Sequence, residues 1–365
     1  MNKAKEHFHG SDLEKVEQIF HVKKETITNF GANVNPLGIS PMLRDNLASH
    51  IDAITTYPDR EYTDLRNAIS VYTGAPVASI MVGNGSTELI GLFIQIQHPK
   101  KAVLISPTYS EYEREILLSG GTCDYHFLKP EAEFHIDVEA LLADITADVD
   151  LLIICNPNNP TSTVIGREDM ERIVSHCEQT GTFVLIDETY IEFAPDMDAI
   201  TAIPLTEAHS NMVILRGISK FFAAPGLRLG YSICNNPELY ACMNEIKNPW
   251  TINSLAGVAG EIMFSDHAYI QETKNFIQEE RLYCQQTLDQ MPEVTYFDCY
   301  GNYILVRIEK EGITSYDAFV HCIKKGLMIR DCSDFVGLDE TYIRFCFMNH
   351  DKNVALMEAL KELLA

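Results

Sequence analysis

Short, unbroken apolar runs punctuate the chain at residues 102–106, 151–155, 183–187 and 212–215. Each is shorter than a typical helix and apolar at successive positions, the pattern of a strand covered on both faces in a parallel sheet. Helical patterns such as 61–72 and 86–97 accompany them. Strand-like and helical segments therefore alternate, which predicts an α/β body with a mostly parallel sheet. A further short strand is expected over 229–234. After Asn248-Pro249-Trp250 the pattern changes to a long charged helix over 267–291, strands near 303–307 and 342–347, and a closing helix. That reads as a smaller α+β unit. The expected organisation is an N-terminal arm over 1–41, a large α/β domain over 42–250 and a small domain over 251–365.

Three of the apolar runs release polar groups at their carboxyl ends. The first leads into Asn156-Pro157-Asn158-Asn159-Pro160-Thr161, the second into Asp187-Glu188-Thr189-Tyr190, and the third into Arg216-Gly217-Ile218-Ser219-Lys220, with Arg228 following. Open α/β sheets bind ligands at the carboxyl ends of their strands, so these groups are expected to converge on one sheet edge. Asn-Pro and Asp clusters also punctuate ordinary turns, but three such turns in order make that the weaker explanation. A lysine held among apolar groups is disfavoured as the ammonium, which frees its amine to act as a nucleophile or Schiff-base partner. Most lysines are solvated surface groups; Lys220 is set apart by its companions. Gly85-Ser86-Thr87 adds a turn that opens a helix, where free N–H groups can hold an anion.

Composition narrows the function classes. With 46% hydrophobic and 22% charged residues, the 365-residue chain has the make-up of a globular protein. Its net charge of −24 argues against a nucleic-acid partner, and means that an anionic substrate needs a local cluster of arginines. The ten cysteines include no CxxC pair and several lie in apolar runs, as expected for reduced thiols of a cytosolic protein. No metal-ligand set is expected. No apolar run approaches the ~18 residues of a membrane helix, and residues 1–12 have no signal-peptide core. A cytoplasmic location without a membrane partner is expected.

The chain resembles pyridoxal-phosphate enzymes of the aspartate aminotransferase fold, fold type I. The likeness runs almost end to end and lies close to histidinol-phosphate aminotransferases and threonine-phosphate decarboxylases. It is carried by Gly83-Asn84-Gly85-Ser86-Thr87-Glu88-Leu89, Pro107-Thr108-Tyr109, Asn158-Asn159-Pro160-Thr161, Asp187-Glu188-Thr189-Tyr190 and Ser219-Lys220 with Arg228. The resemblance implies pyridoxal 5'-phosphate as cofactor, with Lys220 as its Schiff-base lysine and Asp187 as the partner of the pyridine nitrogen. Gly85, Ser86, Thr87, Ser219 and Arg228 would cradle the phosphate. Tyr109 matches the aromatic that stacks on the ring, while Asn159 and Tyr190 match groups that bond the ring oxygen. Tyr57 matches a tyrosine that reaches the phosphate from a neighbouring subunit, which implies a homodimer with shared sites. Two departures stand out. Gly217 takes the place of a hydroxyl residue in many relatives, and Ser162 that of a glycine. Both suggest an altered cofactor pocket.

The reaction depends on which bond at the substrate's Cα is held perpendicular to the ring, and arginines fix that orientation by gripping anions. The resemblance makes Arg344 the carboxylate-binding arginine and Arg330 a contact of a distal phosphate. His9-Gly10-Ser11 and Gly31-Ala32-Asn33-Val34-Asn35-Pro36-Leu37-Gly38 follow the decarboxylase branch, placing His9 and Asn33 among the substrate contacts. Tyr190 pulls the other way, since that branch often has phenylalanine there. The expected activity is decarboxylation of a phosphorylated amino acid, L-threonine O-3-phosphate or O-phosphoserine, with a place in cobalamin biosynthesis. The alternative is transamination of the histidinol-phosphate type with 2-oxoglutarate.

Overall fold

The computed structural model describes residues 7–365; the first six residues of the expected N-terminal arm lie outside the described residues. A seven-stranded sheet forms the body. Its strands run in the order Ile80–Gly83, Gly230–Ile233, Met212–Gly217, Phe183–Asp187, Leu151–Cys155, Lys101–Ser106 and Thr122–Phe127. Gly230–Ile233 is antiparallel to both neighbours, and the other pairings are parallel. The four apolar runs are strands, shifted by at most two residues at their ends. Two strands had no such pattern. Thr122–Phe127 is an edge strand with alternating exposure and polar residues, and Ile80–Gly83 spans only four residues.

Successive side chains on a strand point to opposite faces, and here each face finds its own core. Leu152, Ile154, Val184, Ile186, Met212 and Ile214 join one cluster. Leu151, Ile153, Leu185, Val213 and Leu215 join the other. The second face is covered by Leu89 and Phe93 of the helix Ser86–Gln97, by Tyr112 and Ile116 of Glu111–Leu118, and by Leu239 and Met243 of Pro237–Ile246. The first is covered by Arg167–Thr180 and Val138–Asp144, among others. The helix Ser254–Ser265 also packs on this body. A Cβ at its Gly260 would lie 2.5 Å from Leu65 and 2.7 Å from Leu229, so the helix approaches these leucines closely.

A four-stranded antiparallel sheet follows, in the order Arg330–Asp331, Tyr342–Cys346, Tyr303–Ile308, Val294–Tyr296. The long helix His267–Leu288 and the closing helix His350–Leu364 frame it. The N-terminal segment is tied to this unit: Thr28–Asn29 pairs in parallel with Leu327–Met328. No helix among the described residues is long and apolar enough to cross a membrane.

Alternation has its sharpest effect where strand Phe183–Asp187 ends. Asp187 continues the face of Phe183 and Leu185, while Glu188 turns to the face of Ile186. There Glu188 meets Arg216 of the neighbouring strand, with Nε and Nη2 donating to Oε2 at 2.9 and 2.7 Å. Thr201 Oγ1 accepts from Arg216 at 2.7 Å and donates to Glu188 at 3.0 Å, and the Ala202 N–H donates to Glu188 Oε1 at 2.7 Å. The pair is sealed from solvent.

Beside it lies Glu192, buried, with neither carboxylate oxygen hydrogen-bonded among the described residues. Burial pushes its carboxyl up to about 7, opposed by Arg216 and reinforced by Glu188. A carboxyl whose folded value is raised stabilises the fold below its unfolded value, and that contribution is lost as pH rises through the folded value. Glu192 should therefore cost stability progressively between pH 4.5 and 7, by on the order of 3 kcal/mol in total. Urea unfolding at pH 5 and pH 8 checks this: the Glu192→Gln variant should gain on the wild type as pH rises. A stability difference that does not change with pH would contradict it.

Candidate active site

The carboxyl ends of the central strands open into a cavity of about 350 Å³ that also borders the four-stranded sheet and the N-terminal segment. At one end the strand Ile80–Gly83 turns through Gly85 into the helix Ser86–Gln97. Gly85 has φ 82°, and a Cβ there would sit 2.4 Å from Arg228 Nη2, so the guanidinium lies directly against the turn. Gly230 is equally constrained, since its Cβ would meet the Ser86 nitrogen at 2.5 Å. No side chain caps this helix start. Its N–H groups, Ser86, Thr87, Ser219 and Arg228 thus face one space, which suits a phosphate. Gly217 is not demanded by space: a Cβ there would meet Ser86 Oγ only at 3.9 Å. It therefore omits a hydroxyl beside the cradle without a packing reason.

Lys220 enters the cavity from the loop after Met212–Gly217, and Nζ donates to the Ala32 carbonyl at 2.8 Å. Burial, with Arg344 and Arg228 nearby, lowers its ammonium to about 8. Across the cavity Asp187 is 4% exposed and accepts three hydrogen bonds: from Tyr112 Oη at 2.7 Å, Thr189 Oγ1 at 2.5 Å and the Thr189 N–H at 2.9 Å. Burial nevertheless raises its carboxyl. A buried carboxylate so placed calls for a cation, and a protonated pyridine nitrogen would supply one.

The other ring contacts also line the cavity. Tyr109 packs edge-on against Tyr112, with centroids 5.6 Å apart. Tyr190 is wedged against Tyr303 at 4.9 Å, and its hydroxyl accepts a hydrogen bond from Asn33 Nδ2 at 3.4 Å. Asn33 Oδ1 is buried with no partner among the described residues. Asn159 is buried and accepts from Arg344 Nη1. A cradle for an anion, a carboxylate awaiting a cation and a lowered lysine together fit the expected pyridoxal phosphate.

Beyond them stand two arginines. Arg330 and Arg344 are direct partners across the antiparallel strand pair. Arg344 is 4% exposed; its Nη2 donates to the Gly31 carbonyl at 2.8 Å and its guanidinium covers Tyr303 at 5.3 Å. It has no acidic partner within salt-bridge distance among the described residues, and its Nε is unsatisfied. Arg330 bonds Phe8 and Asp334. His9 borders the same space, its Nδ1 2.8 Å from Ser11 Oγ. Burial and the positive charges of Arg330, Lys220 and Arg344 hold His9 below the usual imidazole value.

Of the predicted site residues, Gly85 backs the Arg228 guanidinium without lining the cavity, and Tyr57 stands away from it. Tyr57 is 81% exposed and rests on Trp250 at 5.1 Å. Ser162 corrects the expectation of an altered pocket: it has φ 65° and turns its hydroxyl to the Gly301 N–H at 2.8 Å, a tie to the loop before Tyr303–Ile308 rather than a cavity contact. Tyr112, Thr189 and Asp334 join the site beyond the residues expected from the sequence. Tyr112 lies three positions after Tyr109, a helical spacing that could have flagged it.

Comparison with known proteins shows the family. Residues 25–360 match the family described as aminotransferase class I and II. The chain is 32% identical over 356 residues to a threonine-phosphate decarboxylase of Salmonella typhimurium, covering 98% of this chain and 96% of that one. It is also 32% identical to the histidinol-phosphate aminotransferase structure from Clostridium acetobutylicum, with a TM-score of 0.86 over 92% of this chain and 98% of the other. The histidinol-phosphate aminotransferase of Sinorhizobium meliloti, solved in complex with pyridoxal-5'-phosphate, shares the fold at 20% identity, with a TM-score of 0.85 over 100% and 99% of the two chains. With the family match spanning nearly the whole fold and the strand-end lysine, aspartate and arginines gathered in one cavity, the chain belongs to the class I and II aminotransferase family.

Proposed function

We propose that this pyridoxal-phosphate enzyme acts on an amino acid bearing a second, phosphate anion, and that it removes the α-carboxylate. The expected substrate class is L-threonine O-3-phosphate or O-phosphoserine; one methyl group separates the two and is worth only about 1–3 kcal/mol in a pocket. The observation that carries this reading is the Arg330–Arg344 pair. Like charges directly opposite on neighbouring strands repel, and Arg344 is buried without an acidic partner among the described residues. A substrate with two anions offsets both costs.

The residues divide the work. Arg228, Ser219 and the start of the Ser86–Gln97 helix would hold the cofactor phosphate, with Gly85 allowing the close approach. Asp187, oriented by Tyr112 and Thr189, would keep a proton on the ring nitrogen. Tyr109 would cover the ring, and Asn159 and Tyr190 would bond its oxygen. When bound, the cofactor supplies an electron sink for the pair left at Cα when a bond there breaks. Lys220, with its amine near 8, is partly neutral at physiological pH and so can act as nucleophile and proton carrier. Arg344 grips the substrate carboxylate, while Arg330, His9 and Asn33 receive the distal phosphate. Such remote grips orient the breaking bond.

The similarity to the Salmonella decarboxylase supports loss of CO₂. Equal identity to a histidinol-phosphate aminotransferase supports the second reading, transamination with 2-oxoglutarate. The working unit is proposed to be a homodimer in which Tyr57 crosses to the partner's site. In the single chain Tyr57, Ile54 and Ile51 are 81%, 61% and 51% exposed, an apolar surface that a second copy would cover.

Four outcomes are expected. Borohydride reduction should fix a pyridoxyl mass on the peptide containing Lys220, and the Lys220→Ala protein should give none; a mass on another lysine would end the assignment. Light scattering should report two chains at micromolar concentration, and a fully active monomer would remove the role given to Tyr57. Offered phosphothreonine, phosphoserine, or histidinol phosphate with 2-oxoglutarate, the enzyme should release CO₂ from a phospho-amino acid. Arg330→Ala should lower kcat/KM there by about 2–5 kcal/mol. Glutamate from histidinol phosphate with no CO₂ from either phospho-amino acid would establish the aminotransferase instead.

A further inference from the structure

The distal end of the cavity already holds an anion of the chain's own. Asp334 lines the cavity, and both of its carboxylate oxygens accept from Arg330 Nη2, at 2.7 and 2.6 Å. The other terminal nitrogen, Nη1, donates to the Phe8 carbonyl at 2.5 Å, and the guanidinium lies over the Phe335 ring at 5.1 Å. An arriving anion therefore finds both ends of Arg330 engaged. Its cross-strand partner Arg344 is different, held by an amide oxygen and a carbonyl with no carboxylate. One arginine of the pair stands open to an anion and the other is occupied.

The two members of the occupied pair are unequally buried. The Arg330 side chain is 9% exposed and that of Asp334 31%. Stripping the anion from a buried guanidinium is costly, so Asp334 leaves Arg330 most readily when another anion takes its place. A carboxylate with a third of its surface in water can leave a pair at small cost, because solvent screens the attraction and rehydrates the group. The loop that carries Asp334 is pinned nearby, with Ser106 Oγ donating to the Val336 carbonyl at 2.6 Å. Rotation of the Asp334 side chain toward solvent would clear Arg330 without opening that loop.

We propose that Asp334 is an internal competitor that sets the affinity of the distal subsite: its carboxylate keeps Arg330 satisfied until a phosphate displaces it. The inference rests on Arg330 receiving the distal phosphate. A neutral hydroxyl, as on an unphosphorylated amino acid, cannot displace an ion-paired carboxylate and leaves the pair intact. A phosphate dianion brings more charge and more acceptor oxygens, so it can make the exchange. The competitor thus raises the threshold an anion must exceed, which keeps weakly binding anions off Arg330. This makes Asp334 a specificity-determining residue of the site.

The test uses the cofactor-loaded enzyme, in which the cofactor's own phosphate fills the cradle at Arg228, and inorganic phosphate as the probe. Calorimetric titration would compare the wild type with Asp334→Asn, Asp334→Ser and Arg330→Ala, with thermal melting and cofactor absorbance verifying that each is folded and loaded. Both Asp334 variants should bind phosphate about tenfold more tightly, and Arg330→Ala should bind it at least about tenfold more weakly. If Arg330→Ala loses phosphate while neither folded Asp334 variant gains affinity, Asp334 merely holds Arg330 in place; the inference is overturned and the proposed function stands. If Arg330→Ala binds phosphate as the wild type does, the distal subsite is wrongly placed and both fall.

Discussion

The site depends on a division of labour between two consecutive carboxylates at the end of one strand. Asp187 and Glu188 leave the sheet on opposite faces because strand side chains alternate. Glu188 is sealed against Arg216, whose strand leads on to Lys220. The buried pair ties the exit of Phe183–Asp187 to that of Met212–Gly217, in a register that sets Asp187 beside Leu215. Such a pair adds little net stability after desolvation, but breaking it leaves a bare charge in the interior. Its consequence is geometric. With Glu188 locked on one face, Asp187 is held on the other, where Tyr112 and Thr189 finish its orientation.

Around that frame an acidic protein builds a cationic chamber. The chain carries a formal charge of −24, yet Lys220, Arg228, Arg330 and Arg344 border one cavity. The cost of gathering them is visible in Lys220, whose ammonium is lowered first by burial and then by Arg344 and Arg228. The arginines are kept tolerable by different means. Arg228 is exposed to solvent and donates to the Pro225 carbonyl, Arg344 is held by neutral oxygens and an aromatic face, and Arg330 carries the Asp334 carboxylate. Each arrangement leaves a particular kind of anion to be received, and together they suit the cofactor phosphate and the doubly anionic substrate proposed above.

The N-terminal segment completes the chamber. Pairing of Thr28–Asn29 with Leu327–Met328 carries the segment onto the C-terminal sheet. From there Gly31 and Ala32 offer carbonyls to Arg344 and Lys220, and Phe8 offers one to Arg330. Three cations of the chamber are thus positioned by backbone oxygens of the N-terminal segment. Gly10 makes this crossing possible: a Cβ there would lie 2.5 Å from the Gly31 carbonyl oxygen.

The sequence by itself determined the alternating architecture, the strand-end placement of Asn159, Asp187 and Lys220, and the anion turn at Gly85. These are local facts: apolar runs declare buried strands, and a parallel sheet must present its strand ends on one edge. What it left open was set by groups far apart in the chain. The polar edge strand Thr122–Phe127 exists because Lys101–Ser106 offers it a partner. Ser162 looks like a change to the pocket until the fold turns its hydroxyl to Gly301. Tyr112 reads as a helix residue until packing brings it to Asp187, and Asp334 as a loop residue until it meets Arg330. Periodicity along a chain specifies which face a side chain takes, but which groups meet across the fold, and so which charges are paired and which left open, was decided only by tertiary packing.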